Sequence, residues 1–310
     1  MAARSSSRKV VYAALVGNLL VAITKFGAAA WTGSSAMLSE GIHSVVDTSN
    51  EVLLLYGFHR ASRPPDRGHP LGYGRELYFW SFIVAVLIFT LGAGFSMYEG
   101  ILHVLHASPI QDPWVSYLVL GLSFAFEFGS WWVAATEFRA RKGPLGYFEA
   151  IRRSKDPPGF LVLAEDTAAL IGLLIALAGT AASQWFELPF LDGVASIGIG
   201  VLLAATAVVL AREIKDLLIG EPAHSRITES ILALARSEPG VERASGLVTV
   251  HLAPHQVVAA LDVEFDDRLT APEIESVVLR LEQHIKDVHP EVIALFIKPK
   301  TVSRPGEDRS

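Results

Sequence analysis

The sequence predicts a membrane α-helical bundle of six transmembrane helices followed by a small α+β, ferredoxin-like cytoplasmic domain. Three observations predict it. The 310 residues are 51% hydrophobic with a mean hydropathy of +0.39, more apolar than a soluble chain of this size. Six windows approach the roughly 20 apolar residues that cross a hydrocarbon core as a helix. From Arg212 onward charges recur every few residues and no window is long enough to span.

Taken in order, the windows are about Val10–Trp31, Ala36–Phe58, Leu77–Tyr98, Trp114–Thr136, Phe160–Gln184 and Phe190–Ala211. Met1 to Lys9 is a short basic tail running into a long apolar stretch, without the small-residue cleavage pattern of a secretory signal, so the first window is expected to stay in the mature protein. The loop after the second window carries Arg60, Arg63, Arg67 and Arg75, and the loop after the fourth carries Arg139, Arg141, Lys142, Arg152, Arg153 and Lys155. Those after the first, third and fifth carry no Lys or Arg. The positive-inside rule therefore places the even-numbered loops and both termini in the cytoplasm.

After the bundle, Arg226–Arg236 has helical spacing, Gly246–Leu252 and Val257–Phe265 read as strands around a turn at Ala253–Gln256, Ala271–Val288 as a longer helix and Val292–Lys298 as a last strand. Thr270, with Glu273 three residues on, is a capping box for the longer helix. The expected domains are residues 1–211 in the membrane, 212–300 as the cytoplasmic α+β unit and 301–310 as a flexible tail.

The residues that carry chemistry lie where lipid is expected. His43 and Asp47 are four apart on the second predicted span, so an imidazole and a carboxylate share one helix face and can share one metal ion. Ionisable groups at bilayer depth cost about 2.5–3.5 kcal/mol each on insertion scales, which ordinarily restricts them to cavities, partner charges or ions. Glu40 and Glu51 extend the stripe by a turn at each end as cavity lining, and Glu51 is a further candidate donor. A tetrahedral ion needs four donors, so a second helix must complete the site. The fifth span supplies Glu165 and Asp166, with Asp166 the expected ligand and Glu165 a ligand or proton carrier. Asn18, Lys25 and Glu127 read as helix-tying polar groups, and Asp192 as interfacial.

Exclusions follow from composition. With no cysteine there is no disulfide framework and no thiolate site, so a transition metal must be held by His, Asp and Glu. The net charge of −6 and the lack of a basic face argue against nucleic acid as a partner. No prosthetic group is implied. An intramembrane zinc-dependent hydrolase using His43, Asp47 and Asp166 with Glu165 as base is one alternative, weakened by the absence of His-Glu-x-x-His and Gly-x-Ser-x-Gly motifs. An organic-cation carrier with Glu127 and Glu165 as counter-charges is another.

The His43-x-x-x-Asp47 pair, the loop Asp66-Arg67-Gly68-His69-Pro70-Leu71-Gly72-Tyr73-Gly74-Arg75-Glu76, the basic loop between the fourth and fifth spans, and the α+β tail together resemble the cation diffusion facilitator family, most closely its bacterial members of the zinc transporter 9 branch. The resemblance covers nearly the whole chain. It implies a homodimeric exporter moving a divalent ion, usually Zn²⁺, out of the cytoplasm against protons, with a transport site from the second and fifth spans and a metallochaperone-like cytoplasmic domain. His43, Asp47 and Asp166 match the family's ligand positions. Most members carry a histidine four residues before that aspartate, where this chain has Val162, which leaves Glu165 as the substitute donor. The resemblance also implies that Asp66 and His69 match positions that bind a second metal in some relatives, while this chain has Tyr73 where those relatives have histidine. The resemblance also makes His251 and His255 candidates for regulatory zinc. Donor type and the Irving–Williams order put Zn²⁺ first, ahead of Fe²⁺, Mn²⁺, Co²⁺ and Cd²⁺.

Overall fold

The structure, a computed structural model, describes residues 18–108, 110 and 112–300. The basic tail 1–9, the first eight residues of the first window (10–17) and the tail 301–310 lie outside the described residues. Two compact units emerge: described residues up to Arg60 together with Glu76–Lys215, and Ala61–Arg75 together with the described residues from Asp216.

The first unit is helical. Helix α1 is described over residues 18–32, and α2 covers Ser35–Ala61. Helix α3 runs over Glu76–Leu105 with a π-helical stretch at Ile88–Ala93, α4 over Pro113–Lys142, the short α5 over Tyr147–Arg153, α6 over Pro157–Trp185 and α7 over Phe190–Ile219. Prolines open α4 and α6 at positions whose amides have no intrahelical partner. Helices α3, α4, α6 and α7 are long and apolar enough to cross a membrane, which makes this an integral membrane protein. Helix α2, at 27 residues, reaches about 40 Å. It is less apolar because Glu40, His43, Asp47, Asn50 and Glu51 interrupt its run.

Helices α3 and α7 meet through small residues. A Cβ on Gly100 would stand 2.7 Å from the Gly193 carbonyl, and one on Gly193 would stand 2.8 Å from the Gly100 carbonyl, so only glycine lets the two backbones approach this closely. A turn away, the Ser196 hydroxyl of α7 donates to the Ser96 carbonyl of α3 at 2.9 Å and meets the Ser39 hydroxyl of α2. Three helices are tied by this one serine.

The second unit carries α8 (Ser225–Ser237), β1 (Val241–Ala253), β2 (Gln256–Phe265), α9 (Ala271–Val288) and β3 (Val292–Pro299). The strand order is β1-β2-β3, with β1 antiparallel to β2 and β2 parallel to β3 across the α9 crossover. Every second residue of β2 (Val257, Ala259, Leu261, Val263 and Phe265) is buried. They pack with Ile231 and Ala235 of α8 and with Val277, Leu281 and Ile285 of α9, the last three spaced by four so that they share one helix face. The capping box forms: Glu273 Oε2 accepts from the Thr270 amide at 2.7 Å while the Thr270 side chain receives the Glu273 amide. Strand β1 begins five residues earlier than its alternation predicts, at Val241, because register irregularities between Val241 and Val248 let the extended chain stay paired with β2.

Candidate metal centre

The turn between α1 and α2 fixes where the α2 stripe begins. Gly33 takes a φ of +70°, ending α1 with its amide on the Ala29 carbonyl at 2.9 Å. Ser34 then caps α2, its hydroxyl accepting the Met37 amide at 3.2 Å. Asp192 of α7 locks this start. Its carboxylate accepts the Ala36 amide at 3.1 Å, the Ser34 hydroxyl at 3.0 Å and the Thr180 hydroxyl of α6 at 3.3 Å. Asp192 is fully buried, and these donors replace the water it gives up.

Two turns into α2, His43 is 1% exposed, with Nδ1 at 3.4 Å from Asp47 Oδ1. Neither ring nitrogen of His43 makes a hydrogen bond, and neither does Asp47 Oδ1, although all three atoms are buried. Buried polar atoms are ordinarily paired, so this arrangement holds donor capacity that the protein itself leaves unused. One turn further, Asn50 Nδ2 donates to Glu165 Oε1 at 2.6 Å, which joins α2 to α6. Glu165 is buried in the third turn of α6, too far from Pro157 to be explained as an acidic pair at a helix start. Its neighbour Asp166 is half-buried and accepts the Ser130 hydroxyl of α4 at 3.1 Å. Glu51 accepts from Asn18 Nδ2 of α1 at 3.1 Å, and its other oxygen is buried without a hydrogen bond.

Beside this stripe lies a buried cation. Lys25 of α1 is fully buried, donates to Glu40 Oε2 at 3.2 Å and to the Ser44 hydroxyl at 2.8 Å, and lies 3.9 Å from Glu127 Oε1 of α4. Glu40 therefore acts as an ion-pair partner rather than as open cavity lining. Lys25 balances carboxylates that would otherwise be costly at this depth.

Among the described residues no three His, Asp or Glu side chains cluster at metal-binding distance. What the fold brings together is the His43–Asp47 pair within α2 and the contact from Asn50 of that helix to Glu165 of α6. Asn50 was missed from sequence, although a signal was available: it lies three residues beyond Asp47 and seven beyond His43, on the same helical stripe.

The remaining candidates lie in the second unit. Asp66 Oδ1 accepts the Gly68 and His69 amides, each at 2.8 Å, and its Oδ2 accepts the Tyr73 hydroxyl at 2.6 Å. The His69 ring stacks on Tyr73 with centroids 4.2 Å apart and has Nδ1 at 3.7 Å from Asp66. The Tyr73 hydroxyl, followed by the His69 amide, holds the Asp66 carboxyl below its ordinary value. His251 is buried in β1, with Nδ1 at 3.3 Å from the Ala253 carbonyl and its ring 6.2 Å from that of His224. His255 is exposed in the β1–β2 turn.

The chain is similar to known proteins over most of its length. Residues 11–219 match the cation efflux transmembrane domain. The chain is 34% identical over 263 residues to the Xenopus laevis mitochondrial protein named proton-coupled zinc antiporter SLC30A9, covering 84% of this chain and 47% of that one. It is 32% identical to metal tolerance protein C4 of Arabidopsis thaliana, covering 85% of this chain and 58% of the relative. With the cation-efflux pump FieF of Escherichia fergusonii it shares 24% identity over 91% of this chain and 88% of the pump. The chain thus spans about half the length of the first two relatives. With residues 11–219 matching that transmembrane domain, the chain belongs to the cation efflux family, the cation diffusion facilitators.

Proposed function

We propose that the protein carries a divalent metal cation, Zn²⁺ foremost, out of the cytoplasm in exchange for protons by alternating access. The observation that carries this reading is the buried His43–Asp47 pair, whose ring nitrogens and Oδ1 make no hydrogen bond. His43, Asp47, Asp166 and Glu165 are the cargo ligands in this reading, with Asn50–Glu165 bringing the α6 carboxylates toward α2. Binding removes protons from these groups, and protons entering from the other side compete for the same lone pairs, which couples the two fluxes. The relatives named as a proton-coupled zinc antiporter and a cation-efflux pump support the assignment. Membership of an efflux family favours carriage over hydrolysis. Fe²⁺, Mn²⁺, Co²⁺ and Cd²⁺ remain alternative cargoes by donor type.

In the same reading the bundle has six spans, α1 and α2 adding to the four apolar ones, with both termini cytoplasmic in a bacterial inner membrane and the chain acting as a homodimer. Its domains are residues 1–211 and 212–300. The second unit's order of helix, strand, strand, helix, strand is that of a ferredoxin-like fold lacking its first strand. The test is Zn²⁺ flux in proteoliposomes under a proton gradient. Asp47→Ala and Asp166→Ala are expected to weaken Zn²⁺ affinity by about 10–100-fold and to abolish proton-coupled flux. Full coupled flux in either variant would refute the site.

A further inference from the structure

Asn50 is the one fully buried amide on the α2 stripe, and the proposed transport chemistry uses only one end of it, the tie to Glu165. Its side chain has two distinct ends. A carboxylate can only accept, so the end facing Glu165 Oε1 at 2.6 Å is Nδ2, which leaves Oδ1 as the opposite end. That oxygen is buried and has no hydrogen-bond partner. An amide oxygen in this condition costs about 1–3 kcal/mol unless something absent from the protein itself satisfies it.

Position and charge both bear on what that something is. His43, Asp47 and Asn50 are spaced by four and three, so they rise along one face of α2, and their unpartnered buried atoms are Nδ1, Nε2, Oδ1 and Oδ1. Three of them can present a lone pair at once, the two Oδ1 atoms and the imidazole nitrogen that carries no proton, while the other ring nitrogen keeps its N–H. A stripe in which acceptors outnumber the single donor fits a cation better than an anion. Asp47, Glu165 and Asp166 already place up to three negative charges opposite a +2 ion. A further carboxylate would add repulsion in a low-dielectric setting, whereas an amide adds a ligand with no charge.

We propose that Asn50 is a further cargo-binding residue: its Nδ2 holds Glu165 in place and its Oδ1 is a neutral oxygen ligand of the divalent cation. This rests on the transport reading above. It makes the site oxygen-richer than a two-histidine tetrahedral centre and therefore more permissive toward ions that accept five or six ligands.

Co²⁺ alone is the probe, since its visible bands report ligand number and type, and the full chain is titrated in detergent. Asn50→Leu, close in volume, removes both ends of the amide, while Asn50→Asp keeps an oxygen and loses the donor to Glu165. The expected result is a 10–100-fold weaker Co²⁺ affinity in Asn50→Leu with altered band intensity, and intermediate affinity in Asn50→Asp. Unchanged affinity in Asn50→Leu, or weaker affinity with unchanged bands, overturns the ligand role. Should Asn50→Leu bind too weakly to give a spectrum, Asn50→Asp decides: bands support the proposal and their absence overturns it. Wild-type protein that binds no Co²⁺, Zn²⁺ or Mn²⁺ defeats the transport reading and this proposal together, whereas wild-type binding with an unaffected Asn50→Leu defeats this one alone.

Discussion

Asp66 shows how one hydroxyl sets a carboxylate's behaviour. The Tyr73 hydroxyl and the His69 and Gly68 amides all stabilise the charged form, so the Asp66 carboxyl titrates below the ordinary 3.8. A depressed value means that the stabilisation is complete above 3.8 and is lost as pH falls through the lowered value. Tyr73→Phe removes the largest contribution, and the Asp66 carboxyl is expected to titrate at higher pH, toward its ordinary value. A carbon-13 carboxyl titration of both forms checks this, and an unmoved midpoint would mean the amides alone set it. The same tyrosine hydroxyl hydrogen-bonds one of the Asp66 oxygens at 2.6 Å. His43 and Asp47 were legible because a one-turn spacing is a property of one helix. Asn50 escaped because its partner stands 115 residues away.

Helix packing carries its own test. The α3–α7 crossing depends on two glycines whose backbones meet with no room for a side chain. Gly100→Leu is expected to destabilise the bundle by about 1–3 kcal/mol through overpacking, and the loss should appear as a lowered melting temperature of the purified protein. An unchanged melt would show that α3 and α7 can separate without cost. The π-helical stretch Ile88–Ala93 precedes this crossing and changes the angular position of Ser96 and Gly100 relative to an unbroken α-helix. Hydropathy windows placed the helices well because burial in lipid needs only length and apolarity. They could not register the π turn, which is a change of hydrogen-bond ladder and not of composition.

For the whole chain, the absence of cysteine permits a clean topology experiment. If the proposed six spans and cytoplasmic termini hold, a single cysteine at Ala107→Cys should react with a membrane-impermeant maleimide on intact cells, and one at Ser154→Cys only after permeabilisation. The reverse pattern would invert the orientation argued from the basic loops. Asp192 belongs at this level too, because it gathers the start of α2, Thr180 of α6 and its own helix into one buried contact.

The sequence by itself determined the membrane class, the helical windows, the elements of the α+β unit with its Thr270 capping box, and the one-turn pairing of His43 with Asp47. Each is set by periodicity or by contacts a few residues apart, so a linear chain displays it. Only the tertiary structure decided that Lys25 neutralises Glu40, that Asp192 is buried, that His251 is in a core strand and that Asn50 links α2 to α6 through Glu165. Helical spacing tells which residues share a face, but which neighbouring helix meets that face depends on packing between segments far apart in sequence.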